Sequence, residues 1–517
     1  MDSDDATLLR LLSGDLRGAY DAALRQLAED RGNAAAWSVM AAIALEGGNG
    51  AKARDLAEKA LALDGDALLG LIVAGRAALL DRDEARVQQA ATRLSALPVP
   101  AEPRLADMIG VLLVRAGRAE AALPYMAAAV RAMPESAEML YNLAITAQFC
   151  GDLPRARESF RRLLVLDPMR HSARLALAQL DPPNAAALAE AERLFAKALD
   201  ADAALQLGHS AARIAEGLGD DRGALDWLDR AKAAKAAEAS HDPAAADALF
   251  AALQALPIDR SAAVDAPVRP LFVVGMPRSG TTLIDRILSS HAEIRSAGEL
   301  GSLSNAVKRA AGTPGAMVLD AATLAAPFDP AEVASRYRAD LAARGYRSGV
   351  VIDKMPFNFF YVAHILAALP EARVLIVRRD PCDTAFANYR QLFATEFGYY
   401  GYSYDLMHCA RFVARFEALM DHVASAGAPR VATVHYEAVV ADQEGESRRL
   451  IDWLGLEWDA ACLSFDRNAA PVSTASSLQV RKPIYDISIG RWRRYGDRGA
   501  AVRDAIARWR DGQGGAI

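Results

Sequence analysis

The sequence predicts two fold classes in one chain, an α-helical repeat solenoid followed by an α/β domain with a central parallel sheet. In the first half, segments that end helices recur at nearly constant spacing. In the second half, short apolar runs alternate with longer helical stretches. The composition changes at the same place: 9 aromatic residues lie in residues 1–260 and 26 lie in residues 261–517. Alanine makes up about a fifth of the 517 residues, far above ordinary usage.

Charge and cysteine content exclude several classes of protein. The formal net charge of −6 argues against a nonspecific nucleic-acid binder, which normally carries a basic balance. The four cysteines lie far apart and form no CxxC, so neither a disulfide framework nor a zinc site is predicted. No apolar run approaches the length of a membrane span, and the first ten residues are acidic where a signal peptide is basic. We therefore expect a cytoplasmic protein.

The N-terminal half carries a repeat of about 34 residues. Helix-ending prolines stand at Pro98, Pro134 and Pro168, at spacings of 36 and 34 residues. Small residues at fixed offsets would let paired helices approach closely, with a glycine turn between the helices and a proline after the second. One repeat shows the pattern in full: Leu140, Leu143, Ala144, Gly151, Ala156, Phe160, Pro168.

This pattern resembles the tetratricopeptide repeat, and we read five or six repeats over about residues 5–240. The alternative is a plain alanine-rich helical bundle. A stacked array implies a surface for a peptide or partner protein. Three prolines mark the boundary, which predicts a repeat domain over 1–256, a linker over 257–269 and a second domain over 270–517.

The second half begins with a strand that runs into a phosphate-binding loop. Four continuous apolar runs predict buried parallel strands: LFVVG (271–275), GVVIDK (349–354), RVLIVRR (373–379) and RVATVHY (430–436). The first leads into Gly275–Thr282 and then an amphipathic run, so backbone N–H groups and a helix N-terminus would favour an anion. Thr281 stands where nucleotide hydrolases carry the loop lysine, and Arg278 supplies a cation instead.

These residues resemble the sulfotransferases, and most closely the tyrosylprotein type, over about residues 268–500. The shared motifs occur in the same order: PRSGTTL at the loop, His291 to Gly298-Glu299, Asp353-Lys354 with Pro356-Phe357, Val377 to Pro381, and Gln479-Val-Arg-Lys-Pro483 to Arg491-Trp492. The resemblance implies transfer of a sulfuryl group from 3′-phosphoadenosine 5′-phosphosulfate (PAPS) without a metal, leaving adenosine 3′,5′-bisphosphate (PAP). The chain also looks like a bacterial family type that joins tetratricopeptide repeats to such a domain.

The resemblance assigns donor-binding residues along the second half. They are Arg278, Ser279, Gly280, Thr281, Thr282, Arg379, Tyr436, Ser477, Arg481, Lys482 and Arg491. Arg379 could instead form a surface ion pair, and Tyr436 could be a half-buried strand aromatic. Ala387 departs from the family, which has a serine there; Asn388 and Arg390 are the candidates to replace that hydroxyl.

The resemblance also implies three catalytic residues: Glu299 as general base, Lys354 as a cation that stabilises the transition state, and Ser476. Without the resemblance, we would interpret Glu299 as an ordinary glutamate at a helix N-terminus. Lys354 would be interpreted as a solvated residue at a strand end. Ser477 adjoins Ser476, so the register of this pair stays open. His291 is a rival base, with packing or capping as its more ordinary role.

The sequence therefore predicts a PAPS-dependent sulfotransferase fused to tetratricopeptide repeats. The acceptor is expected to be a protein or peptide, with a carbohydrate or small phenol as alternatives. The aromatic segment Phe393–Tyr404 either lines the acceptor side or packs in the core. Two rival functions stay open: a P-loop kinase or nucleotide hydrolase, and a non-catalytic repeat scaffold with a nucleotide-binding domain.

Overall fold

The structure is a computed structural model that describes residues 3–239, 241–314, 319–395, 397–468 and 483–510. Its contacts divide the chain into two compact units. The first unit comprises residues 1–167 with 339–345, and the second comprises 168–338 with 346–517. The boundary at 257–269 in the sequence analysis stays a prediction.

The N-terminal half is entirely helical in its described residues. Its helices are α1 Ser3–Leu12, α2 Leu16–Glu29, α3 Ala34–Glu46, α4 Gly50–Leu63, α5 Leu68–Leu80, α6 Glu84–Ala96, α7 Pro103–Arg115, α8 Ala119–Ala132, α9 Ala137–Cys150, α10 Leu153–Leu166, α11 His171–Leu180, α12 Ala185–Phe195, α13 Ala201–Gly217, α14 Asp221–Glu238 and α15 Pro243–Gln254. Helices α1 to α10 pack as five successive pairs, and α13 packs with α14. This confirms the helical-repeat part of the predicted fold.

The turn inside each pair follows from two adjacent residue types. A residue with positive φ ends the first helix, which favours glycine: Gly14, Gly48, Gly117, Gly151 and Gly219, with Arg82 in the same role. An Asp or Asn then caps the second helix in five of the six pairs: Asp15, Asn49, Asp83, Asp152 and Asp220. The recurring glycine is thus a requirement of backbone conformation.

The second half is built on a five-stranded parallel sheet. Its strands are β1 Val268–Gly275, β2 Ile294–Ser296, β3 Gly349–Asp353, β4 Arg373–Arg378 and β5 Val431–His435, in the order β2-β3-β1-β4-β5. The four predicted strands are confirmed as β1, β3, β4 and β5. Strand β2 was missed because three residues carry no readable apolar pattern.

Helices and 3₁₀ turns connect the strands. The helices are α16 Thr281–Leu288, α17 Ser302–Ala311, α18 Ala321–Ala325, α19 Pro330–Ala343, α20 Val362–Ala368, α21 Pro381–Tyr389, α22 Leu406–Ser425, α23 Tyr436–Ala441, α24 Gln443–Leu454 and α25 Asp497–Arg510. The 3₁₀ segments are Pro356–Tyr361, Gly398–Tyr404, Ala460–Arg467 and Arg491–Tyr495. Leu271, Ile352 and Leu375 from the sheet pack with Ile284 of α16 in one fully buried core.

The strand order determines where a site can form. The chain leaves β1 toward β2 and β3 on one side and reaches β4 and β5 on the other, so β1 and β4 flank the point where the order reverses. In open α/β sheets, ligands bind outside the carboxyl ends of the strands at such a point. The register pairs Gly275 with Val377 and Arg378 with His435, so the loops after β1, β4 and β5 meet at that edge.

Within the described ranges, no helix combines the length and the apolar character needed to cross a bilayer.

Close contact between α13 and α14 yields a stability prediction. A Cβ added at Gly208 would lie 2.3 Å from Ala231 Cβ and 3.1 Å from its Cα. We expect Gly208→Ala to lower the free energy of unfolding by about 1–3 kcal/mol, because the two helices must separate.

Gly50→Ala is the matched control, since its added Cβ would meet only a Leu80 methyl at 3.7 Å. We expect this change at the start of α4 to be neutral or slightly stabilising. Denaturant unfolding of the two variants makes the comparison. Equal stability of Gly208→Ala and the parent chain would contradict close helix packing at this position.

Candidate functional site

The loop between β1 and α16 has the conformation that a phosphate-binding loop requires. Gly280 adopts φ +106° just before α16, and a Cβ there would lie 2.6 Å from Tyr436 Cδ2. Glycine is therefore required both by the backbone and by the close approach of the tyrosine. The first N–H groups of a helix lack partners within it, and the helix dipole adds a favourable field for an anion. The sequence prediction of an anion-binding turn matches this geometry.

A cavity of about 230 Å³ opens beside the loop. From the loop and helix α16, Arg278, Gly280 and Thr282 line it, whereas Ser279 and Thr281 are buried and do not. Cations dominate the lining, which includes five arginines: Arg213, Arg278, Arg379, Arg390 and Arg491. Asp383 is the one carboxylate among the described residues that line it. The charge balance of the cavity thus favours an anionic ligand.

Arg278 shows how strongly the cations act on one another. Burial, followed by the charges of Arg390, Arg379 and Arg213, lowers the pKa of Arg278 to about 10. Each of these effects disfavours the charged guanidinium. A bound anion would raise the pKa of Arg278 again, because it offsets the repulsion among the arginines and replaces the hydration lost on burial.

Several polar atoms around the loop fit such an anion. The Ser279 hydroxyl, Arg379 Nε and Arg491 Nε are buried and make no hydrogen bond within the described part of the chain. Buried polar groups in native proteins almost always have a hydrogen-bond partner, so a buried group without one calls for an explanation. Of these, the two arginine Nε donors belong to residues that line the cavity and suit phosphate or sulfate oxygens. The residues present therefore fit the nucleotide that the resemblance implies.

Arg379 is held at the end of β4 by contacts from three directions. Its Nη1 donates to the Arg278 carbonyl at 3.1 Å, and its Nη2 donates to the Ser488 carbonyl. The guanidinium lies 5.0 Å from the ring centroid of Tyr436, and Asp383 Oδ2 is 3.9 Å from Nη2. The predicted alternative of a surface ion pair does not describe this residue, because its side chain is only 9% exposed.

Tyr436 joins two parts of the cavity. The residue follows β5, is 9% exposed, and contacts both Gly280 and the Arg379 guanidinium. Burial raises the pKa of its phenol, so the hydroxyl stays protonated. Tyr436 thus lines the cavity and is also a buried aromatic at a strand end, while its contact with a nucleotide stays a prediction.

The position of the missing serine is part of the cavity lining. Ala387 lines the cavity, but the Asn388 amide is engaged elsewhere: it donates to the Pro277 carbonyl at 2.7 Å and accepts from Tyr402 at 2.8 Å. Asn388 therefore braces the loop. Of the two candidates, only Arg390 lines the cavity.

Glu299 and Lys354 meet at the same carboxyl edge of the sheet. Lys354 directly follows β3, and its backbone N–H donates to the Gly298 carbonyl at 2.9 Å. That bond extends the pairing of β2 with β3 and places Glu299 beside the lysine, whose Nζ donates to Glu299 Oε1. The Lys354 side chain is 1% exposed and that of Glu299 is 35% exposed. The carboxylate is accessible, while the cation behind it is buried.

A second carboxylate stands near the buried lysine. Asp285 on α16 is 6% exposed, and burial raises its pKa while the Lys354 charge opposes that rise. One oxygen of Asp285 has no hydrogen-bond partner in the described residues. Lys354 therefore has two carboxylates close to its buried side chain, Glu299 and Asp285.

His291 is engaged at both ring nitrogens. Its Nε2 lies 2.8 Å from the Glu457 carbonyl oxygen, and its Nδ1 accepts from the Glu293 N–H at 3.0 Å. A nitrogen opposite a carbonyl must carry the proton, which fixes the neutral tautomer. The imidazole thus ties a loop after α16 to the backbone near residue 457, and the packing role described in the sequence analysis fits it.

The C-terminal segment covers one side of the cavity. Pro483, Tyr485, Ser488 and Arg491 line it, and Asp383 fixes the segment by accepting from the Gly490 N–H at 2.6 Å and the Trp492 N–H at 2.9 Å. The predicted residues Ser476, Ser477, Arg481 and Lys482 lie outside the described residues.

The aromatic segment Phe393–Tyr404 contributes mostly to packing. Tyr402 is fully buried and stacks on Phe412 with ring centroids 4.0 Å apart. Tyr400 stacks on Phe393 at 4.3 Å, and burial, with lesser effects from Tyr399 and Glu299, raises its pKa. Phe397 is 46% exposed. Within this segment, Tyr400 therefore lies close enough to Glu299 for the carboxylate charge to affect its phenol.

Two contributors to this site were missed by the sequence analysis. Arg213 and Glu216 lie on α13, in the helical half, and the Glu216 carboxylate accepts from Arg390 and Arg491. A repeat pattern indicates which residues pair helices but not which other element a side chain will contact. Within the described ranges, no group of three or more His, Cys, Asp and Glu side chains is arranged to hold a metal.

Comparison with known proteins finds similarities in the second half. Residues 270–460 match the family model described as "Sulfotransferase family". A relative from Aquifex aeolicus, named "Uncharacterized protein", is 34% identical over 233 residues, which cover 44% of this chain and 31% of that relative. "Protein-tyrosine sulfotransferase A" of Caenorhabditis elegans is 23% identical over 244 residues, covering 43% of this chain and 60% of that relative. The matches thus span less than two thirds of either relative.

Among solved structures, the sulfotransferase domain of the Synechococcus PCC 7002 olefin synthase is similar to this chain. It is 18% identical, with a TM-score of 0.32, and the match covers 48% of this chain and 98% of that domain. Residues 270–460 thus match a sulfotransferase family model, as the sequence motifs predict, and the preceding half is built of paired helices.

Proposed function

We propose that this chain is a sulfotransferase that uses PAPS as donor and an acceptor hydroxyl, with a protein or peptide tyrosine as the leading candidate. The observation that carries the proposal is the convergence of two features at one edge of the sheet. They are the arginine-lined cavity beside the 276–280 loop and the Glu299–Lys354 pair. A P-loop kinase function has less support, because Thr281 occupies the position at which such loops carry a phosphate-binding lysine.

The donor's anionic groups would be held at two places. Arg278 and Thr282 would take the 5′ end, together with the N–H groups at Gly280 and Thr281, while Ser279 stays assigned by resemblance. Arg379 would take the 3′-phosphate, with Arg390 as the cation beside Ala387 and Arg491 nearby. Ser476, Ser477, Arg481 and Lys482 stay assigned to the site by resemblance. Bound PAPS supplies the sulfuryl group, and PAP is the second product.

Glu299 is the proposed general base. Its carboxylate is accessible and accepts a hydrogen bond from the Lys354 ammonium, which holds it in position. When Glu299 takes the acceptor's proton, it loses its charge, and the buried Lys354 cation is then less compensated. That cation can stabilise the negative charge that develops on the leaving phosphate oxygen. The Glu299–Lys354 ion pair would thus supply both the base for the acceptor and the cation for the leaving group.

The proposed acceptor is supported by the name of a relative and by an aromatic cluster in this chain. The curated relative in Caenorhabditis elegans carries a name that refers to protein tyrosine. In this chain, Tyr399, Tyr400 and Phe357 form an aromatic cluster, with ring centroids 4.6–5.4 Å apart, and Glu299 is close enough to act on Tyr400. Aromatic surroundings suit a phenolic acceptor. We further propose metal-free catalysis in the cytoplasm, with the repeats capturing a peptide or partner protein.

The first prediction concerns donor binding. Arg278→Ala should weaken PAP binding by about 100-fold or more, because it removes a charged donor from the loop. Isothermal titration calorimetry on the full chain measures the effect. Arg448→Ala on α24, whose side chain is 50% exposed, is the control and should bind PAP normally. Unchanged PAP affinity in Arg278→Ala would contradict the donor site.

The second prediction separates chemistry from binding. Glu299→Gln keeps an oxygen that accepts from Lys354 but removes the base, so kcat should fall about 10²–10⁴-fold with PAP affinity unchanged. Transfer from labelled PAPS to tyrosine-containing peptides provides the rate. The control is Glu444→Gln, on an exposed face of α24. Full turnover in Glu299→Gln would rule out the glutamate as base.

A further inference from the structure

The last helices of the helical half pack directly against the α/β elements within the second compact unit. Lys232 on α14 is 1% exposed, and its ammonium donates to the backbone carbonyls of Tyr389 and Ser403. Asp229 accepts from the Tyr389 hydroxyl at 2.5 Å and from Arg498 at 2.7 Å. A buried ammonium that satisfies two carbonyls is costly to displace, so α14 has a fixed position beside α21.

Helix α15 makes apolar and ionic contacts with the α/β elements of the same compact unit. Phe250 is 2% exposed and lies against Phe360 and Phe412, with ring centroids 5.4 and 5.1 Å away. Asp247 accepts from Arg411 at 2.7 Å and from Arg415 at 2.9 Å. Helices α13 to α15 therefore behave as part of the α/β body, and a side chain on α13 can be positioned accurately.

Arg213 on α13 reaches the arginine-lined cavity. Its side chain is 44% exposed and lines the cavity together with Arg278 and Arg390. Partial burial, followed by the Arg390 charge, lowers the pKa of Arg213, and Arg213 in turn contributes to the lowered pKa of Arg278. The guanidinium from the helical half is therefore electrostatically coupled to the loop.

Glu216, one helical turn further along α13, does not neutralise this group of cations. Its carboxylate is 12% exposed, is shared by Arg390 and Arg491, and lies 3.7 Å from Arg213 Nη1. Asp221 Oδ1 lies 3.5 Å from Arg491 Nη2, so two carboxylates, Glu216 and Asp221, face the three guanidinium groups. Arg213 also borders a second cavity of about 170 Å³, which shares Arg278 and Arg390 with the first. The excess positive charge around α13 is left for a ligand.

We infer that Arg213 is a donor-binding residue supplied by the helical half, which contacts an anionic group of the nucleotide in the cavity beside Arg278 and Arg390. The inference rests on the proposed function and adds a residue that lies outside the matched family region, residues 270–460. Helix α13 would then complete the donor site.

PAP binding to the full chain tests this role by calorimetry. Arg213→Ala should weaken PAP binding by about 10- to 100-fold, the loss expected for one charged hydrogen-bonding group. Arg213→Lys retains the charge and should recover part of the affinity. Arg193→Ala on α12, whose side chain is 56% exposed, is the matched control and should bind like the parent chain. The melting temperature without ligand checks each fold, and Arg213→Gln replaces the alanine variant should that variant unfold.

The outcomes distinguish a failure of the proposed donor site from a failure of the proposed role of Arg213. If the parent chain binds PAP and Arg213→Ala or Arg213→Gln binds it equally well, the role of Arg213 is wrong while the donor site stands. If the parent chain does not bind PAP, the proposed function fails and this inference fails with it. Weaker binding in Arg213→Ala with partial recovery in Arg213→Lys supports a direct contact.

Discussion

Mutual repulsion among five arginines in one small cavity is the constraint on which the site depends. Burial, followed by the charges of the neighbouring arginines, lowers the pKa of Arg278, because both disfavour the charged guanidinium. Such clusters are retained where a ligand of opposite charge offsets them, which is why strongly perturbed groups in a cleft indicate function. The surrounding structure has to hold the cations in place before the anion arrives.

The fold supplies that rigidity through strand order and a few buried bonds. Placing β1 between β3 and β4 brings three functional loops to one edge, and each carries a different part of the site. Asn388 ties α21 to the loop, Asp383 ties the C-terminal segment to α21, and Lys232 ties the helical half to the same region. Catalysis by positioning and charge stabilisation needs this kind of preorganisation.

Local sequence patterns were sufficient to predict the four longer strands, the loop and the turn glycines of the repeats. Glu299 and Lys354 could be proposed only from a family resemblance, because a carboxylate after a short strand has no distinctive pattern. Arg213 could not be anticipated, since it contacts residues far away in the sequence and its repeat position looks ordinary. The choice between Asn388 and Arg390 depended on which side chain lines the cavity, and only the packed structure provides that information.

The most direct test of the account is a calorimetric comparison of three nucleotides on the unmodified full chain: PAP, adenosine 5′-monophosphate and magnesium ATP. The cation cluster predicts that PAP binds at least about 10-fold more tightly than the monophosphate, because the 3′-phosphate adds charged hydrogen bonds. It also predicts that PAP binds more tightly than magnesium ATP. Equal affinity for PAP and the monophosphate, or a clear preference for magnesium ATP, would contradict the assignment of this cavity to a sulfuryl donor.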